Sequence, residues 1–299
     1  MRKRPIKGII AAGGKGTRLF PVTRSVNKCI LPVYDKPALY YQICAMIIAG
    51  IREIKVFGNE RDIPLYRDLM GDGTQWGIDI CYGLDEPPRA TPGVLVTAQD
   101  FIGESDVLVL LGDNVFFGEG LDRALEMAAG RFRKDGGTLI CTKEVRDPRG
   151  LGTVVYDDSG RPLSIGGKLE PPKSDHGVTG LFFFDHDAVE DVLTEAAGND
   201  GEIILGEFLK SRLEKGALQA VSLDDSVHWF DMGTAERLFE AGSAVRAFQE
   251  AHGTCAGCVE EAAAARGLID DRQLEDLARA MEGTEYGRYL MGLVGKYRR

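Results

Sequence analysis

The chain has 299 residues, of which 44% are hydrophobic and 27% charged, as is typical of a soluble globular protein with one large or two average domains. The formal net charge of -10 argues against general binding to nucleic acid or anionic membranes, which favour positively charged proteins. Apolar runs such as Val107–Leu111 are far shorter than the ~20 residues of a membrane span. The basic start at Met1–Arg4 lacks the apolar core of a signal peptide, so a cytoplasmic protein is expected.

The first part of the chain alternates strand and helix patterns. Short apolar runs that end near glycine or polar residues predict strands at 7–12, 51–58, 78–84 and 107–111. Helical periodicity, in most cases closed by a glycine, predicts helices at 37–49, 66–70 and 121–132. This order predicts an α/β fold with a doubly wound, mostly parallel sheet, whose ligands bind at the carboxyl ends of the strands.

The second part of the chain is richer in strand patterns and ends in helical ones. Strands are predicted at 138–145, 152–156, 177–184 and 218–223, with a hairpin turn at 157–160 and a helix at 203–215. From about residue 245 the pattern is helical. We therefore expect a core over 1–244, divided near residue 120, and a helical extension over 245–299.

A glycine loop, Ala11–Leu19, directly follows the first predicted strand and reads Ala-Ala-Gly-Gly-Lys-Gly-Thr-Arg-Leu. Glycines allow a positive φ and a close approach of the backbone, and successive backbone N–H groups can then hold an anion. Lys15 and Arg18 add positive charge for a polyphosphate. The spacing fits neither the Walker A loop nor the dinucleotide-binding loop. Taken alone, such a loop is explained equally well by ordinary turn geometry.

The glycine loop is followed, in chain order, by segments 27–33 (Asn-Lys-Cys-Ile-Leu-Pro-Val), 112–114 (Gly-Asp-Asn), 178–180 (Val-Thr-Gly) and 229–234 (Trp-Phe-Asp-Met-Gly-Thr). Together they resemble the sugar-1-phosphate nucleotidyltransferases, most closely the glucose-1-phosphate thymidylyltransferases, over nearly the whole chain. The resemblance implies a Rossmann-like core in which 1–120 binds the nucleotide. It implies that 121–244, with an inserted β-rich part, binds the sugar.

The resemblance also implies the chemistry. A phosphate oxygen of the sugar 1-phosphate attacks the α-phosphorus of a nucleoside triphosphate, and pyrophosphate leaves. No general base is needed because the nucleophile is already an anion, so catalysis consists of positioning and charge neutralisation. Mg²⁺ is the implied cofactor, since this hard cation suits carboxylate and phosphate oxygens.

The matching positions give candidate site residues. The catalytic candidates are Arg18, Lys28, Lys168 and Asp113, and the candidate Mg²⁺ ligands are Asp113 and Asp231. The candidates for nucleotide binding are Ala11, Gly13, Gly14, Gly16, Thr17, Asp85, Glu86 and Gly112. The candidates for sugar binding are Asn114, Leu151, Gly152, Gly167 and Val178. Singly, each has an ordinary alternative, such as a turn cap or a solvated lysine; their occurrence in family order favours the functional interpretation.

The segment after the strand at 78–84 departs from the thymidylyltransferase pattern. An ungapped match places Asp85 where the family has the glutamine of a Gln-Pro pair, while a gapped match remains open. A carboxylate only accepts hydrogen bonds, and guanine offers two adjacent donors where thymine offers one N–H between two carbonyls. Asp85 or Glu86, if it faces the base, therefore favours GTP over dTTP by ~1–3 kcal/mol. Alternatively, both acids are solvated loop residues.

The sugar pocket departs as well. The family has Glu-Glu-Lys-Pro where this chain has Gly-Gly-Lys-Leu at 166–169, and tyrosine where it has Leu151. The family's Glu-Ile-Thr-Asp segment is rewritten around 203–207. Loss of these groups favours a sugar larger than glucose or differently substituted. A guanylyltransferase for an octose 1-phosphate, as in lincosamide antibiotic pathways, satisfies both departures; loop drift with dTTP and glucose 1-phosphate retained is the alternative.

A third hypothesis is a non-catalytic, nucleotide-binding regulatory homologue. The joint presence of Arg18, Asp113, Lys168 and Asp231 argues against it, because a binding module does not need the metal pair. The expected partners are a nucleoside triphosphate and a sugar 1-phosphate, without nucleic acid or membrane. In the family such helical tails build oligomers, so a homo-oligomer, a tetramer or a dimer, is also expected.

The chain has six cysteines, which suits a reducing compartment. Four of them, Cys29, Cys44, Cys81 and Cys141, lie among apolar neighbours, where a free cysteine acts as a small hydrophobic residue. Cys255 and Cys258 form a CxxC motif. We interpret them as loop thiols, with zinc binding or redox chemistry as the alternative, because no further ligand stands at matching spacing.

Overall fold

The computed structural model describes residues 4–85, 91–167, 171–198 and 203–297. The strands in these residues are β1 (Ile6–Ala11), β2 (Pro32–Val33), β3 (Lys36–Pro37), β4 (Glu53–Gly58), β5 (Asp79–Leu84), β6 (Asp106–Leu111), β7 (Asn114–Phe117), β8 (Thr138–Glu144), β9 (Thr153–Tyr156), β10 (Pro162–Gly166), β11 (His176–Phe184), β12 (Leu218–Leu223) and β13 (His228–Asp231).

The helices are α1 (Ala38–Ile48), α2 (Ile63–Met70), α3 (Val94–Thr97), α4 (Gln99–Ile102), α5 (Leu121–Asp135), α6 (His186–Gly198), α7 (Leu205–Glu214), α8 (Ala235–His252), α9 (Val259–Ala265), α10 (Asp271–Ala280) and α11 (Glu285–Leu293). Short 3-10 helices lie at Thr17–Leu19, Val22–Arg24, Lys28–Ile30 and Thr74–Trp76. None of the described helices is both long and apolar enough to cross a lipid bilayer.

The main sheet follows the order β10-β9-β11-β6-β1-β4-β5, with β8 pairing to β11 and β12. Strands β6, β1, β4 and β5 are parallel neighbours, and β12 runs parallel to β8. Strand β11 joins the two groups by pairing antiparallel to both β6 and β8. The prediction of a doubly wound α/β sheet is confirmed, and the antiparallel strands belong to the β-rich second half.

The central strands are buried on both faces, as their continuous apolar sequences predict. In β6, Leu108 and Leu110 enter a hydrophobic cluster with α1, α5 and α9, while Val107 and Val109 enter the cluster on the opposite face with α3 and α6. Successive side chains of a strand point to opposite faces, so a run of apolar residues satisfies both layers. The carboxyl ends of β1 and β6 are thereby fixed side by side, in the register Ala11 to Leu111.

A second, two-stranded sheet crosses the carboxyl end of β6. It consists of β7 and β13, which pair antiparallel with Asn114 opposite Asp231. The sequence did not predict β7, because the turn at 112–113 looks like the end of a single strand. This small sheet brings the segment after β6 into contact with a segment more than a hundred residues later in the chain.

The C-terminal helices belong to the same core as the sheet. Val259 and Ala263 of α9, Leu274 of α10 and Leu290 of α11 are buried in the cluster that also contains α1. Helix α8 runs through the boundary predicted near residue 244, and that division remains a prediction. The extension therefore packs on the face of the sheet opposite α6 and α7.

Candidate active site

The glycine loop connects β1 to the first 3-10 helix at the carboxyl edge of the sheet. Gly16 has φ +60°, a left-handed conformation that favours glycine, and its carbonyl accepts a hydrogen bond of 2.7 Å from the Thr23 hydroxyl. Gly13 and Gly14 do not have positive φ. Both lie close to their neighbours at ordinary contact distances: a Cβ at Gly13 would lie 3.4 Å from the carbonyl oxygen of Asp85, and a Cβ at Gly14 would lie 3.7 Å from Nζ of Lys28.

The side chain of Asn27 holds the glycine loop in place. Its amide nitrogen lies 3.2 Å from the carbonyl oxygens of both Ala12 and Gly14 and donates at 2.6 Å to Oδ2 of Asp62. Its oxygen accepts from the backbone N–H of Cys29 at 3.0 Å and caps the 3-10 helix that carries Lys28. One side chain thus links the phosphate-binding loop to the segment that presents the lysine.

Asp62 completes this support and was not predicted from the sequence. It is 0% exposed, and its carboxylate accepts hydrogen bonds from Asn27 and, at 2.6 Å, from Asn59. Its position just before α2 suggests a helix cap, yet its side chain makes no capping hydrogen bond to that helix. Local sequence could not reveal the role, because Asn27 lies 35 positions earlier in the chain.

Lys28 and Asp113 form an ion pair at the end of β6, with side chains that are 16% and 15% exposed. Oδ1 of Asp113 also accepts from the amide of Asn114 at 2.9 Å. Burial acts to lower the pKa of Lys28, but the carboxylates of Asp113 and Asp231 outweigh it and the pKa is raised. Burial acts to raise the pKa of Asp113, but Lys28 outweighs it and the pKa is lowered. Both groups are therefore charged at neutral pH.

Asp231 and Arg18 complete the cluster. The β7–β13 pairing places Asp231 opposite Asn114, and the backbone N–H of Met232 donates to the carbonyl of Asp113 at 2.9 Å. A Cβ at Gly233 would lie 2.4 Å from Nη2 of Arg18 and 3.1 Å from Oδ1 of Asp231, so these two side chains are neighbours. We call Arg18, Lys28, Asp113 and Asp231 the phosphate cluster.

Asp113 and Asp231, the predicted Mg²⁺ ligands, come from two distant parts of the chain, and backbone contacts bring the two segments together. Two carboxylates beside a phosphate-binding loop suit Mg²⁺, which usually takes few protein carboxylates and completes its shell with phosphate oxygens and water. In the described residues no group of three or more His, Cys, Asp or Glu side chains could hold a metal ion by itself. The same observation gives no support to zinc at Cys255 and Cys258.

A cavity of about 670 Å³, which we call the central cavity, adjoins the phosphate cluster. All five candidates for sugar binding line it, namely Asn114, Leu151, Gly152, Gly167 and Val178, and so does Asp231. Most of its remaining wall is apolar and includes Ile165, Phe182, Ile203, Ile204, Leu205 and Leu209. One end is polar, with the Asp231 carboxylate and the Asn114 amide, whose oxygen accepts from Nε1 of Trp229 at 2.7 Å. Among the apolar residues of the wall lies one further carboxylate, Glu207, which accepts from Lys210 at 3.2 Å.

Asp85 lies next to the glycine loop and is only 3% exposed. Its Oδ2 would be 3.5 Å from a Cβ at Gly13, and its backbone N–H donates to the Gly58 carbonyl at 2.9 Å. The alternative that it is a solvated loop residue is therefore wrong. Two other candidates, Glu86 and Lys168, lie outside the described residues.

The remaining nucleotide candidates lie around the same edge. Ala11 ends β1, and the N–H of Gly112 donates to its carbonyl at 2.9 Å. A Cβ at Gly112 would lie 2.8 Å from Sγ of Cys29, so only glycine fits between the two strand ends there. Thr17 opens the 3-10 helix that follows Gly16. The loop residues thus surround one site rather than separate ones.

Comparison with known sequences places this chain in a family. A family profile described as Nucleotidyl transferase matches residues 7–247. The glucose-1-phosphate thymidylyltransferase of Neisseria meningitidis is 38% identical over 291 residues, which cover 97% of this chain and 100% of that protein. The protein of the same name from Mycobacterium tuberculosis is 36% identical over 289 residues, with 97% and 99% covered.

Solved structures agree with the fold. A structure described as a glucose-1-phosphate thymidylyltransferase from Bacillus anthracis, in complex with sucrose, has a TM-score of 0.74 and 26% identity, over 81% of this chain and 95% of that one. A UDP-glucose pyrophosphorylase complexed with UDP-glucose has a TM-score of 0.70 and 18% identity, over 81% and 99% of the two chains. At that identity the likeness concerns the fold alone.

Proposed function

The chain belongs to the nucleotidyl transferase family, and we propose that its phosphate cluster and central cavity together condense a nucleoside triphosphate with a sugar 1-phosphate. It is a sugar-1-phosphate nucleotidyltransferase by its relatives, which span the chain at 36–38% identity. The observation that supports the proposed site is the convergence of Arg18, Lys28, Asp113 and Asp231 between the glycine loop and the cavity.

The cluster suits a reaction between two anions. The incoming phosphate and the α-phosphate repel each other, so each needs a fixed cation and a fixed orientation. Lys28 is held by Asp113 and by the capped 3-10 helix, so its charge is aimed before substrate binds. Arg18, in the 3-10 helix that follows the glycine loop, lies beside Asp231 and can neutralise the leaving pyrophosphate.

Asp113 and Asp231 are the residues that would hold Mg²⁺. When bound, this ion supplies charge neutralisation and orientation for phosphate oxygens. With Asp113 engaged by the ion, Lys28 would be free to bind a phosphate oxygen, and either anion would keep the lysine charged.

The first candidate for the substrates is dTTP with glucose 1-phosphate. It is supported by the names of the relatives, which match nearly all of this chain. It requires that the base and sugar pockets retain their preferences despite the changes at Asp85, Leu151 and Gly167.

The second candidate is GTP with a sugar larger than glucose, such as an octose. The buried Asp85 beside Gly13 favours it, because a carboxylate can accept from both N1–H and the exocyclic amine of guanine. Part of the cavity wall favours an altered sugar: Ile204, which is 63% exposed, and Leu151 offer no hydrogen bond to a hydroxyl, and Glu207 is the acid left on that stretch of the wall. A sugar with an apolar substituent or a deoxygenated carbon on that side fits this wall best.

A nucleotide panel with a matched variant pair separates the candidates. Pyrophosphate release from dTTP, UTP, GTP, ATP and CTP is measured with glucose 1-phosphate, a 6-deoxyhexose 1-phosphate and an octose 1-phosphate, alongside thermal shifts with each nucleotide. The second candidate is supported if the enzyme prefers GTP and if Asp85→Gln shifts the ratio of the GTP rate to the dTTP rate towards dTTP by about ten- to a hundredfold. A dTTP preference that Asp85→Gln leaves unchanged supports the first. Asp79→Gln, at an exposed aspartate that begins β5, the strand that ends just before Asp85, is the control.

The same panel tests the non-catalytic alternative. Nucleotide-dependent thermal stabilisation without turnover of any pair would support a regulatory homologue and contradict the enzyme. Light scattering tests the proposed homo-oligomer, for which Phe239 on α8, 74% exposed, is a candidate contact.

A further inference from the structure

The CxxC motif lies in a tight turn between α8 and α9. The backbone N–H of Cys258 donates to the carbonyl of Cys255 at 3.3 Å, and Gly257 has φ +69°. Such a β-turn holds its first and last Cα atoms within about 7 Å. A disulfide spans Cα separations of about 4.4–6.8 Å, so the two thiols can be joined without moving either helix far.

The turn is fixed in place by its neighbours. Lys36, which is 4% exposed, donates from Nζ to the Ala256 carbonyl at 2.8 Å, and the N–H of Ala256 donates to Oε1 of Gln249 at 3.0 Å. A Cβ at Gly257 would lie 2.5 Å from the Tyr41 ring, so the turn is packed against α1. These contacts hold the backbone of the turn, and with it both cysteines, in one position.

The two thiols differ in character. The hydrogen bond with Cys258 and the charge of Lys36 lower the pKa of Cys255 against the opposing effects of burial and of Asp35. Burial raises the pKa of Cys258, whose sulfur also accepts a hydrogen bond of 3.4 Å from the Tyr286 hydroxyl. Glu260, with Oε2 at 3.8 Å from that sulfur, is the remaining charged neighbour. Cys255 is therefore the more nucleophilic thiol, and Cys258 is held beside it.

Small molecules can reach the pair. Cys255 and Cys258 line a cavity of about 350 Å³ that is bounded by α1, α8 and α9 and by residues of the turn after β7. Cys255 is half-buried, whereas Cys258 is 3% exposed. A hydroperoxide can thus meet Cys255 first.

We propose that Cys255 and Cys258 form a reversible dithiol–disulfide site that reacts with hydroperoxides, with Cys255 as the attacking thiol and Cys258 as the resolving thiol. The Cys255 sulfur attacks one peroxide oxygen, the O–O bond breaks, and the other oxygen leaves as water, or as an alcohol from an organic hydroperoxide. The sulfur is oxidised to a sulfenic acid and the peroxide is reduced. The Cys258 sulfur then attacks that sulfur, the S–O bond breaks, and a second water carries away the hydroxyl and the Cys258 proton. A dithiol reductant returns both residues to thiols.

The other cysteines provide the comparison. Cys29, Cys44 and Cys141 are buried, and burial raises their pKa. Cys81 is exposed on β5, yet partial burial of its sulfur raises its pKa as well. Cys81 is therefore the matched control, since it is more accessible than Cys255 and burial outweighs Lys55 and Lys7, which act to lower its pKa.

The test uses the reduced full-length protein with stoichiometric hydrogen peroxide, followed by alkylation and peptide mapping. The expected result is a Cys255–Cys258 disulfide that dithiothreitol reverses, with Cys81 still alkylated. In Cys258→Ser, dimedone should label Cys255 as the sulfenic acid. Oxidation of Cys81 ahead of the pair, or a disulfide between two chains instead, would overturn the proposal.

A second measurement needs no substitution. Iodoacetamide should alkylate Cys255 at neutral pH several-fold faster than Cys81, although Cys81 is the more exposed. Equal or slower alkylation of Cys255 would contradict the proposal. Both readouts are thiol chemistry, so they are independent of whether the enzyme prefers dTTP or GTP.

Discussion

The phosphate cluster and the central cavity meet at Asn114 and Asp231 but differ in chemistry. The cluster is built from charged side chains held by buried hydrogen bonds, as in the support of the loop by Asn27 and Asp62. The far wall of the cavity is mostly apolar, with Leu151 where the family resemblance implies tyrosine and with Ile204, although the Glu207 carboxylate also lines it. Every substrate pair of such an enzyme presents phosphates, whereas the sugar varies. We therefore expect the phosphate cluster to act on all substrates and the cavity wall to select among sugars.

The largest expected effect is at the phosphate end. Lys28→Gln removes the cation between the reacting phosphates and should lower kcat by about 10²–10³-fold for every nucleotide and sugar. Lys134→Gln, which removes an exposed lysine of α5, is the control and should change kcat little. Steady-state pyrophosphate release measures both; a loss confined to one sugar would contradict the general role of the cluster.

The second-largest effect is expected at Asp62, which supports the glycine loop. Asp62→Ala leaves the amides of Asn27 and Asn59 without their buried acceptor and should reduce stability by about 1–3 kcal/mol. It should also raise KM for the nucleotide more than KM for the sugar 1-phosphate, because Asn27 holds the glycine loop. Urea unfolding and kinetics are compared with Asp68→Ala, an exposed aspartate on α2. Equal changes in both KM values would show that Asp62 acts only on stability.

A substitution in the wall of the central cavity should change the preference among sugar 1-phosphates. Ile204→Glu adds a carboxylate that can bind sugar hydroxyls and should shift kcat/KM towards glucose 1-phosphate, relative to a 6-deoxyhexose 1-phosphate, by about ten- to a hundredfold. Leu163→Glu adds the same charge at a residue that is 64% exposed and outside the cavity wall. If both variants give the same ratio as the unchanged enzyme, the wall does not contact the sugar.

The smallest expected effect is at the boundary of the two regions. Trp229→Phe removes the hydrogen bond from Nε1 to Oδ1 of Asn114 and should cost about 1 kcal/mol, or roughly fivefold, in binding of the sugar 1-phosphate. The KM for the nucleotide should stay within twofold of its original value. A larger change in the KM for the nucleotide would indicate that Asn114 binds the nucleotide and not the sugar.

The central strands could be predicted from the sequence, because burial on both faces leaves a continuous apolar run, as at 107–111 in β6. Strand β12 coincides with its prediction at 218–223 for the same reason. The hairpin turn at 157–160 was also confirmed, since the N–H of Gly160 donates to the Asp157 carbonyl at 2.9 Å between β9 and β10. Helix α6 was missed, since its few buried residues give a weak pattern.

Local sequence patterns indicate the site only where its residues directly follow a strand, whereas Asp231 was predicted as a partner of Asp113 from the family resemblance alone. The glycine loop and Asp113 follow strands, so the fold rule for α/β sheets places them at one edge. Asp62 and the pairing of Asn114 with Asp231 depend on contacts between distant segments, and no local pattern indicates them. Likewise, the sequence could not decide whether Asp85 lines a pocket or is a solvated loop residue, because its burial depends on its contact with Gly13 in a distant loop.

The measurement that tests the central claim most directly is phosphorus NMR of the products from the unchanged enzyme and from Lys28→Gln. Each is incubated with Mg²⁺, dTTP or GTP, and the panel of sugar 1-phosphates. We expect pyrophosphate and a nucleoside diphosphate sugar to appear in equal amounts with the unchanged enzyme, and both to be lost in parallel in the variant. Hydrolysis of the triphosphate without a diphosphate sugar, or undiminished product in Lys28→Gln, would contradict the account.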